Sequence, residues 1–374
     1  MGVATQEEHD TSELWCWNRD CPNYGKKGLG NIVFKERYGK INAALFRCKT
    51  CGHCFSESRG TPFFGLNTPT DEVLRTLALL PEKGSIRGVA RATGHDKNTI
   101  CRWLDVSGMH CKEVTDYYLK ELQMNRVQVD EIWSYIKKRK NLRVSDSDEF
   151  GDIYTLTAMK TDTRLFLSHH EGGRTTEDAI ALFRDVEQRR SIHSPIPVFT
   201  SDNWDAFEEG LVNIYGYLEN PPYKGTGRRP LPVLVPYADL KYAQVCKRKR
   251  HGRVVEVVQR VIFGDFDEVV KALDADSGGK INTAYIERLN LTIRNCIARF
   301  IRKGMNCSKD LERHSRILDF FQAWYNFVKP HQSLKVEINL DGRKWMYRTP
   351  AMAEGITDHV WNLRELKTFK LPIQ

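Results

Sequence analysis

Between residues 68 and 123 the apolar positions recur at helical spacing. In TPTDEVLRTLALL, Val73, Leu74, Leu77 and Leu80 form one stripe, with Thr70 placed to cap it. SIRGVARATG reads as a short helix ending in Gly94, and DKNTICRWLDVSG as another after a tight turn. Ile86, Val89, Ala90, Ile100, Trp103 and Leu104 would close a small core between these pieces. From about residue 125 the period shortens to two. VQVDEIWSYI puts Val127, Val129, Glu131, Trp133 and Tyr135 on one face and Gln128, Asp130, Ile132, Ser134 and Ile136 on the other. DIYTLTAMKTDTRLFLSHHEG gives two more strands around a turn at Thr161-Asp162-Thr163. TTEDAIALFRDVEQRR is an amphipathic helix with Ala179, Leu182, Phe183 and Val186 on its apolar side. A short strand, Val198-Phe199-Thr200, then ends in Ser201-Asp202, and a helix begins near Trp204. The order of three strands, a helix and a strand predicts an α/β domain.

Residues 221–236 carry five prolines and read as a loop or irregular insertion. A basic, strand-like stretch follows, and residues 281–329 are helical again. On the helix NTAYIERLNLTIRNCIARF, Tyr285, Leu289, Ile293, Ile297 and Phe300 are apolar, while Thr283, Glu287, Asn290 and Arg294 form a separate polar stripe. The expected organisation is a cysteine-rich module at 1–65, a helical module at 66–123, and an α/β domain at 124–335. That domain holds a basic Pro-rich and strand insertion at about 213–280, and 336–374 is a C-terminal tail.

Composition narrows the function. The chain has 374 residues, 41% hydrophobic and 28% charged, so it is globular, and its net charge of +9 favours a polyanionic partner, nucleic acid first. No apolar run reaches the length of a membrane span, and the start, MGVATQEEHD, is polar and acidic, so a cytoplasmic protein is expected. Five of the ten cysteines lie between Cys16 and Cys54, a distribution unlike a disulfide framework. The pairs Cys16-x4-Cys21 and Cys48-x2-Cys51 flank a glycine-rich stretch, so four thiolates can meet in the tetrahedron that Zn2+ takes in structural sites. Cys54 is spaced to compete with Cys51, and His53 is a further candidate ligand.

A helix-turn-helix within 66–123, formed by SIRGVARATG and DKNTICRWLDVSG, would bring Lys97, Asn98, Thr99 and Arg102 near DNA bases or phosphates. The plainer reading of that segment is a helical hairpin. KRKRHGR looks like the tip of a hairpin, where Lys247, Arg248, Lys249 and Arg250 could grip phosphates; Arg299, Arg302 and Lys303 are further candidates.

Three carboxylates stand in three contexts: Asp130 in mid-strand, Asp202 at a strand end, Glu287 on a later helix. A carboxylate in a buried strand is costly unless paired or metal-bound, and a charged helix stripe is ordinarily a solvated face. Converging, however, the three would suit Mg2+, which takes hard oxygen ligands and serves in-line phosphoryl displacement.

DEIWSYIKK, SDNWDAF and NTAYIERLNLTIR, preceded by the cysteine pairs and RGTPFFG and followed by YNFVKPHQSL, resemble insertion-sequence transposases of the DDE class, closest to the insertion-sequence-one family. The resemblance covers nearly the whole chain. It implies a zinc ribbon, a helix-turn-helix and an RNase H-like catalytic domain with a mixed sheet and flanking helices. It also implies Mg2+- or Mn2+-dependent cleavage at element ends, joining of the freed 3′-OH to target DNA, and a homodimer or larger assembly on DNA. By motif the catalytic acids are Asp130, Asp202 and Glu287, and Asn290 and Arg294 touch or orient DNA. Two other readings remain: a DNA-binding regulator with an inactive catalytic domain, and a nuclease that cuts without joining.

Overall fold

The computed structural model describes residues 10–137, 151–223, 225, 228–251, 253–277, 280–302, 304–340 and 342–373. Three strands come first, β1 (Ile32–Tyr38), β2 (Ala43–Cys48) and β3 (Cys54–Ser56), paired antiparallel in that order. Helices α1 (Thr70–Ala78), α2 (Ile86–Thr93) and α3 (Lys97–Tyr118) follow. Next come β4 (Arg126–Tyr135), β5 (Asp152–Lys160), β6 (Leu165–Gly172), α4 (Thr176–Arg189), β7 (Val198–Asp202) and α5 (Asp205–Ile214). A small pair, β8 (Gly216–Glu219) and β9 (Val233–Pro236), brackets most of the Pro-rich stretch, and β10 (Lys241–Arg250) and β11 (Arg253–Phe263) form a long hairpin. The chain ends with α6 (Phe266–Ser277), α7 (Ala284–Cys296), α8 (Leu311–Ala323), the hairpin β12 (His331–Leu340) and β13 (Arg343–Arg348), α9 (Pro350–Ala353) and α10 (Leu363–Thr368). No helix among the described residues is long and apolar enough to cross a membrane.

Six strands make one mixed sheet in the order β11-β10-β7-β4-β5-β6. β4, β5 and β6 run antiparallel, and β7 lies parallel between β4 and β10. With helices packed on it, this α/β arrangement is compatible with the expected RNase H-like fold. One register positions the site. β4 and β7 pair only from Arg126↔Val198 to Gln128↔Thr200. Asp130 and Asp202 each lie two residues past that last pair, where the parallel strands part. Crevices at the carboxyl ends of parallel strands are where α/β sheets place chemistry.

Three local expectations need correction. The N-cap of α1 is Pro69 and Thr70 is already helical, making no side-chain cap. The helix expected to end near Gly108 runs on to Tyr118, because Cys111, Val114 and Thr115 keep its buried stripe going. Gly108 is there for packing: a Cβ on it would lie 2.5 Å from the Arg316 carbonyl oxygen of α8. Gly94, by contrast, is a true helix end, with a left-handed φ of 78°. The stretch expected as a tail is built into the core. Trp361 and Leu366 are buried, and Lys367 Nζ lies 2.9 Å from Cys111 Sγ and 3.2 Å from the Ser107 carbonyl of α3.

The core crosses the expected boundary at 123. Val89, Ile100, Trp103 and Leu104 belong to the same apolar cluster as Val127, Phe199, Leu289 and Leu366. The strands β1–β3 have their own cluster around Ile32, Phe46 and Phe55.

Candidate active site

The start of α7 is docked on β4 by Gln128. Its Oε1 accepts from the backbone N–H groups of Tyr285 (3.1 Å) and Ile286 (3.0 Å), and its Nε2 donates to the Asn282 carbonyl at 2.8 Å. Those two N–H groups belong to the first turn of α7, where no intrahelical partner exists. Gln128 shares its strand face with Asp130, so α7 lies over that face. Asp130 Oδ2 accepts from Asn290 Nδ2 at 2.7 Å, and its Oδ1 accepts from the Glu131 N–H at 2.8 Å. Thr157 Oγ1, on β5, lies 2.9 Å from Asn290 Oδ1 and donates to it, which orients the amide.

Asp202 and Glu287 meet through Thr283. Its hydroxyl lies 2.6 Å from Glu287 Oε1 and 3.5 Å from Asp202 Oδ1. Lys247 Nζ forms an ion pair with the same Glu287 oxygen and lies 3.5 Å from Thr283 Oγ1. The charges of Asp202 and Asp130 also act on Lys247. The three acids are thus brought to one end of the sheet. Among the described residues, no acidic triplet has its oxygens all within 4.8 Å of one another.

The cluster is electrostatically unfinished. Burial, joined by the charges of Asp202 and Glu131, pushes Asp130 up to about 7. Its hydrogen-bond donors are an amide and a backbone N–H, both neutral. Burial also raises Glu131, against the pull of Arg174, whose Nη2 is 2.6 Å from Glu131 Oε1. Glu131 points to the opposite side of β4, as alternation requires. At the strand ends the two faces meet, and there Glu131 helps line a crevice of about 460 Å3 with Arg174, Asp202, Trp204, Lys247 and Arg260. Arg174 also stands over the Trp204 ring, 5.0 Å from its centroid. The donor set of hard oxygens around a buried, neutrally supported carboxylate suits Mg2+ or Mn2+.

Cys16, Cys21, Cys48 and Cys51 do come together, with ligand atoms within 4.8 Å of one another. The sulfurs of Cys16 and Cys51 are 3.5 Å apart and those of Cys21 and Cys48 are 3.9 Å apart. Asn31 Nδ2 donates to Cys48 Sγ at 3.4 Å. Burial acts to raise Cys48, yet backbone N–H groups of Cys51 and Thr50 bring it down to about 6. Four sulfurs with thiolate support fit Zn2+. Cys54, whose Sγ turns to the Gly52 carbonyl at 3.6 Å, and His53 stay outside the group.

The expected DNA contacts divide. Lys97, Asn98 and Arg102 are exposed near the start of α3, and Thr99 is half-buried. Lys97 and Asn98 face a cleft of about 510 Å3 whose other walls include Arg87, Arg299, Lys309 and Arg313. Arg299 is a half-buried wall residue: desolvation lowers it to about 10, and its Nη1 donates to the Arg313 carbonyl at 2.9 Å. Arg302 is exposed, and Lys303 lies outside the described residues. On the basic hairpin, Arg250 is exposed, Arg248 pairs with Glu256 at 2.9 Å, and Lys247 turns into the acids instead. The side chain of Lys249 lies outside the described residues. Arg294 is half-buried, with its Nε unpartnered, and feels the Asp130 charge. Sequence reasoning passed over Gln128, Thr157 and Arg174. Gln128 alone left a signal, as a polar residue two positions before Asp130 on the same strand face.

No protein-family model matches the chain, and no curated protein matches it in sequence. Among solved structures it is similar to the Mos1 strand transfer complex, at 14% identity over 38% of this chain and 54% of that one, with a TM-score of 0.15. It thus spans about half the length of that chain. It is also similar to the mariner Mos1 paired end complex with Mg, at 13% identity over 62% of this chain and 80% of that one (TM-score 0.18), and to the paired end complex with Mn, at 14% over 60% and 78% (TM-score 0.18). At these scores the superpositions are loose.

Proposed function

We propose that the protein is a DNA transposase of the DDE class. It would cut the ends of an insertion sequence and join them to target DNA, acting as a homodimer or larger assembly. The observation that carries this reading is the gathering of Asp130, Asp202 and Glu287 where β4 and β7 part, on a basic chain. Asp130, Asp202 and Glu287 would hold Mg2+ or Mn2+, which supplies polarisation of the scissile phosphate and stabilisation of the attacking and leaving oxygens. Thr283 and Asn290 orient the carboxylates, and Gln128 fixes the helix that carries Glu287. Hydrolysis breaks the bond between phosphorus and the 3′ oxygen, leaving a 3′-OH on the element and a 5′-phosphate on the flank. That hydroxyl then attacks a phosphorus of target DNA and displaces a 3′ oxygen there.

The four cysteines would hold a structural Zn2+ in a zinc ribbon. Lys97, Asn98, Thr99 and Arg102 would read DNA as part of a helix-turn-helix, and Arg248, Arg250 and Arg294 would meet phosphates. The test is a labelled-end assay with Mg2+, using the DNA on either side of the gene, where short inverted repeats are expected. Cutting followed by strand transfer is expected. Binding without cutting would make the protein a regulator, and cutting without transfer a nuclease.

A further inference from the structure

Lys247 does not behave as part of the hairpin tip to which the sequence assigns it. In the parallel pairing of β7 with β10, Val245 stands opposite Asp202. Lys247 is two residues further on, on the same face of β10, beyond the point where Asp202 leaves the sheet. From there its ammonium reaches Glu287 Oε1 and approaches Thr283 Oγ1, which itself lies between Glu287 and Asp202. The neighbouring Arg248 goes the other way, across the hairpin to Glu256. One cation of the run is thus drawn off into the acids.

A single ammonium is a poor partner for that cluster. It brings one positive charge to the acids where a divalent cation would bring two. It is also tethered to a strand and engages the Glu287 oxygen that a hard divalent cation would need. Lys247 is 29% exposed at its side chain, on a flexible four-carbon stem, so it can swing away without moving the backbone.

We propose that Lys247 is an internal counter-ion that competes with the divalent cation for Glu287, and that cation binding frees it to meet the DNA phosphate. This rests on the divalent-metal reading of the three acids. It makes Lys247 a positioning residue that couples the two ligands: each should bind more tightly in the presence of the other.

The experiment uses the full-length, zinc-loaded protein without DNA. Mn2+ affinity is measured by calorimetry for wild type, Lys247→Gln and Glu287→Gln, and amine-reactive labelling of Lys247 in wild type is followed by mass spectrometry as Mn2+ is added. Lys247→Gln should bind Mn2+ at least about fivefold more tightly than wild type, and Mn2+ should increase labelling at Lys247 in wild type. Equal or weaker Mn2+ binding by Lys247→Gln, or labelling that does not rise as wild type fills with Mn2+, would overturn the competition and leave the metal reading standing. Wild type that binds no Mn2+, or binds it no better than Glu287→Gln does, would overturn both. The labelling arm needs no substitution, so a misfolded variant would not spare the idea.

Discussion

Asn290 Nδ2 donates to Asp130 Oδ2 across 2.7 Å, while the adjacent Glu131 meets Arg174 on the other side of the strand. Two neighbouring carboxylates therefore serve different faces, one under α7 with the other acids and one against a cation. Asp130→Asn, Asp202→Asn and Glu287→Gln should each abolish cutting while leaving end binding intact. Glu131→Gln should retain measurable cutting, since it weakens an ion pair and removes a neighbouring charge but leaves all three acids of the cluster in place. Cleavage and gel-shift assays on the four variants check this; normal cutting by Asp202→Asn would remove the acids from the chemistry.

Purified protein should carry one zinc per chain. Cys48→Ser should lose it and unfold the β1–β3 module, while Cys54→Ser should keep it, because Cys54 stands outside the sulfur group. Metal analysis with circular dichroism decides. A zinc-free protein whose N-terminal module is intact would sink the site.

Gly108 offers a test of packing with an unambiguous sign. In a free helix, Gly→Ala stabilises by about 1 kcal/mol. Here the new methyl would press on the Arg316 carbonyl of α8, so Gly108→Ala should destabilise by roughly 1–3 kcal/mol. Denaturant titration reads the difference. A stabilised variant would show that the helices stand further apart.

His169 sits between Glu171, 2.8 Å from its Nδ1, and Asp319, 3.4 Å from its Nε2, all three nearly buried. Burial opposes the shifts, but the pairing raises His169 from 6.5 to about 10 and lowers Glu171 from 4.5 to about 2. The histidine contribution to stability is complete below pH 6.5 and is lost as pH rises through about 10. The glutamate contribution is complete above pH 4.5 and is lost as pH falls through about 2. The thermal midpoint should thus fall between pH 7 and 10, and a His169→Gln, Glu171→Gln double variant should lose that slope. Matching slopes in both proteins would exclude the pair as its source.

Much of this was written in local pattern. Alternation around Asp130, the stripe of Ala179, Leu182, Phe183 and Val186, and the cysteine spacing each depend on near neighbours, and each has its counterpart in the structure. What escaped is non-local. The sequence of α3 does not say that α8 will approach Gly108, so the helix looked finished there. Lys247 read as one of four equivalent cations, because nothing within the hairpin tells that β10 lies beside β7, bringing it to acids 40 and 45 positions away. The late residues Trp361 and Leu366 looked like a tail because their partners lie on α3 and its surroundings, far back in the chain.

The unbroken run of α3 has a mechanical meaning. Its 22 residues span about 33 Å, with Lys97 and Asn98 at one end and the contacts to α8 and α10 along its body. Because no hinge interrupts it and its core is continuous with that of the sheet, the helix is a strut rather than a tethered module. Whatever docks at its exposed N-terminus is held at a set offset from the crevice between β4 and β7. On the proposed function such a molecule would measure distance: the spacing between a grasped segment and the point of attack would be fixed by the length of a helix.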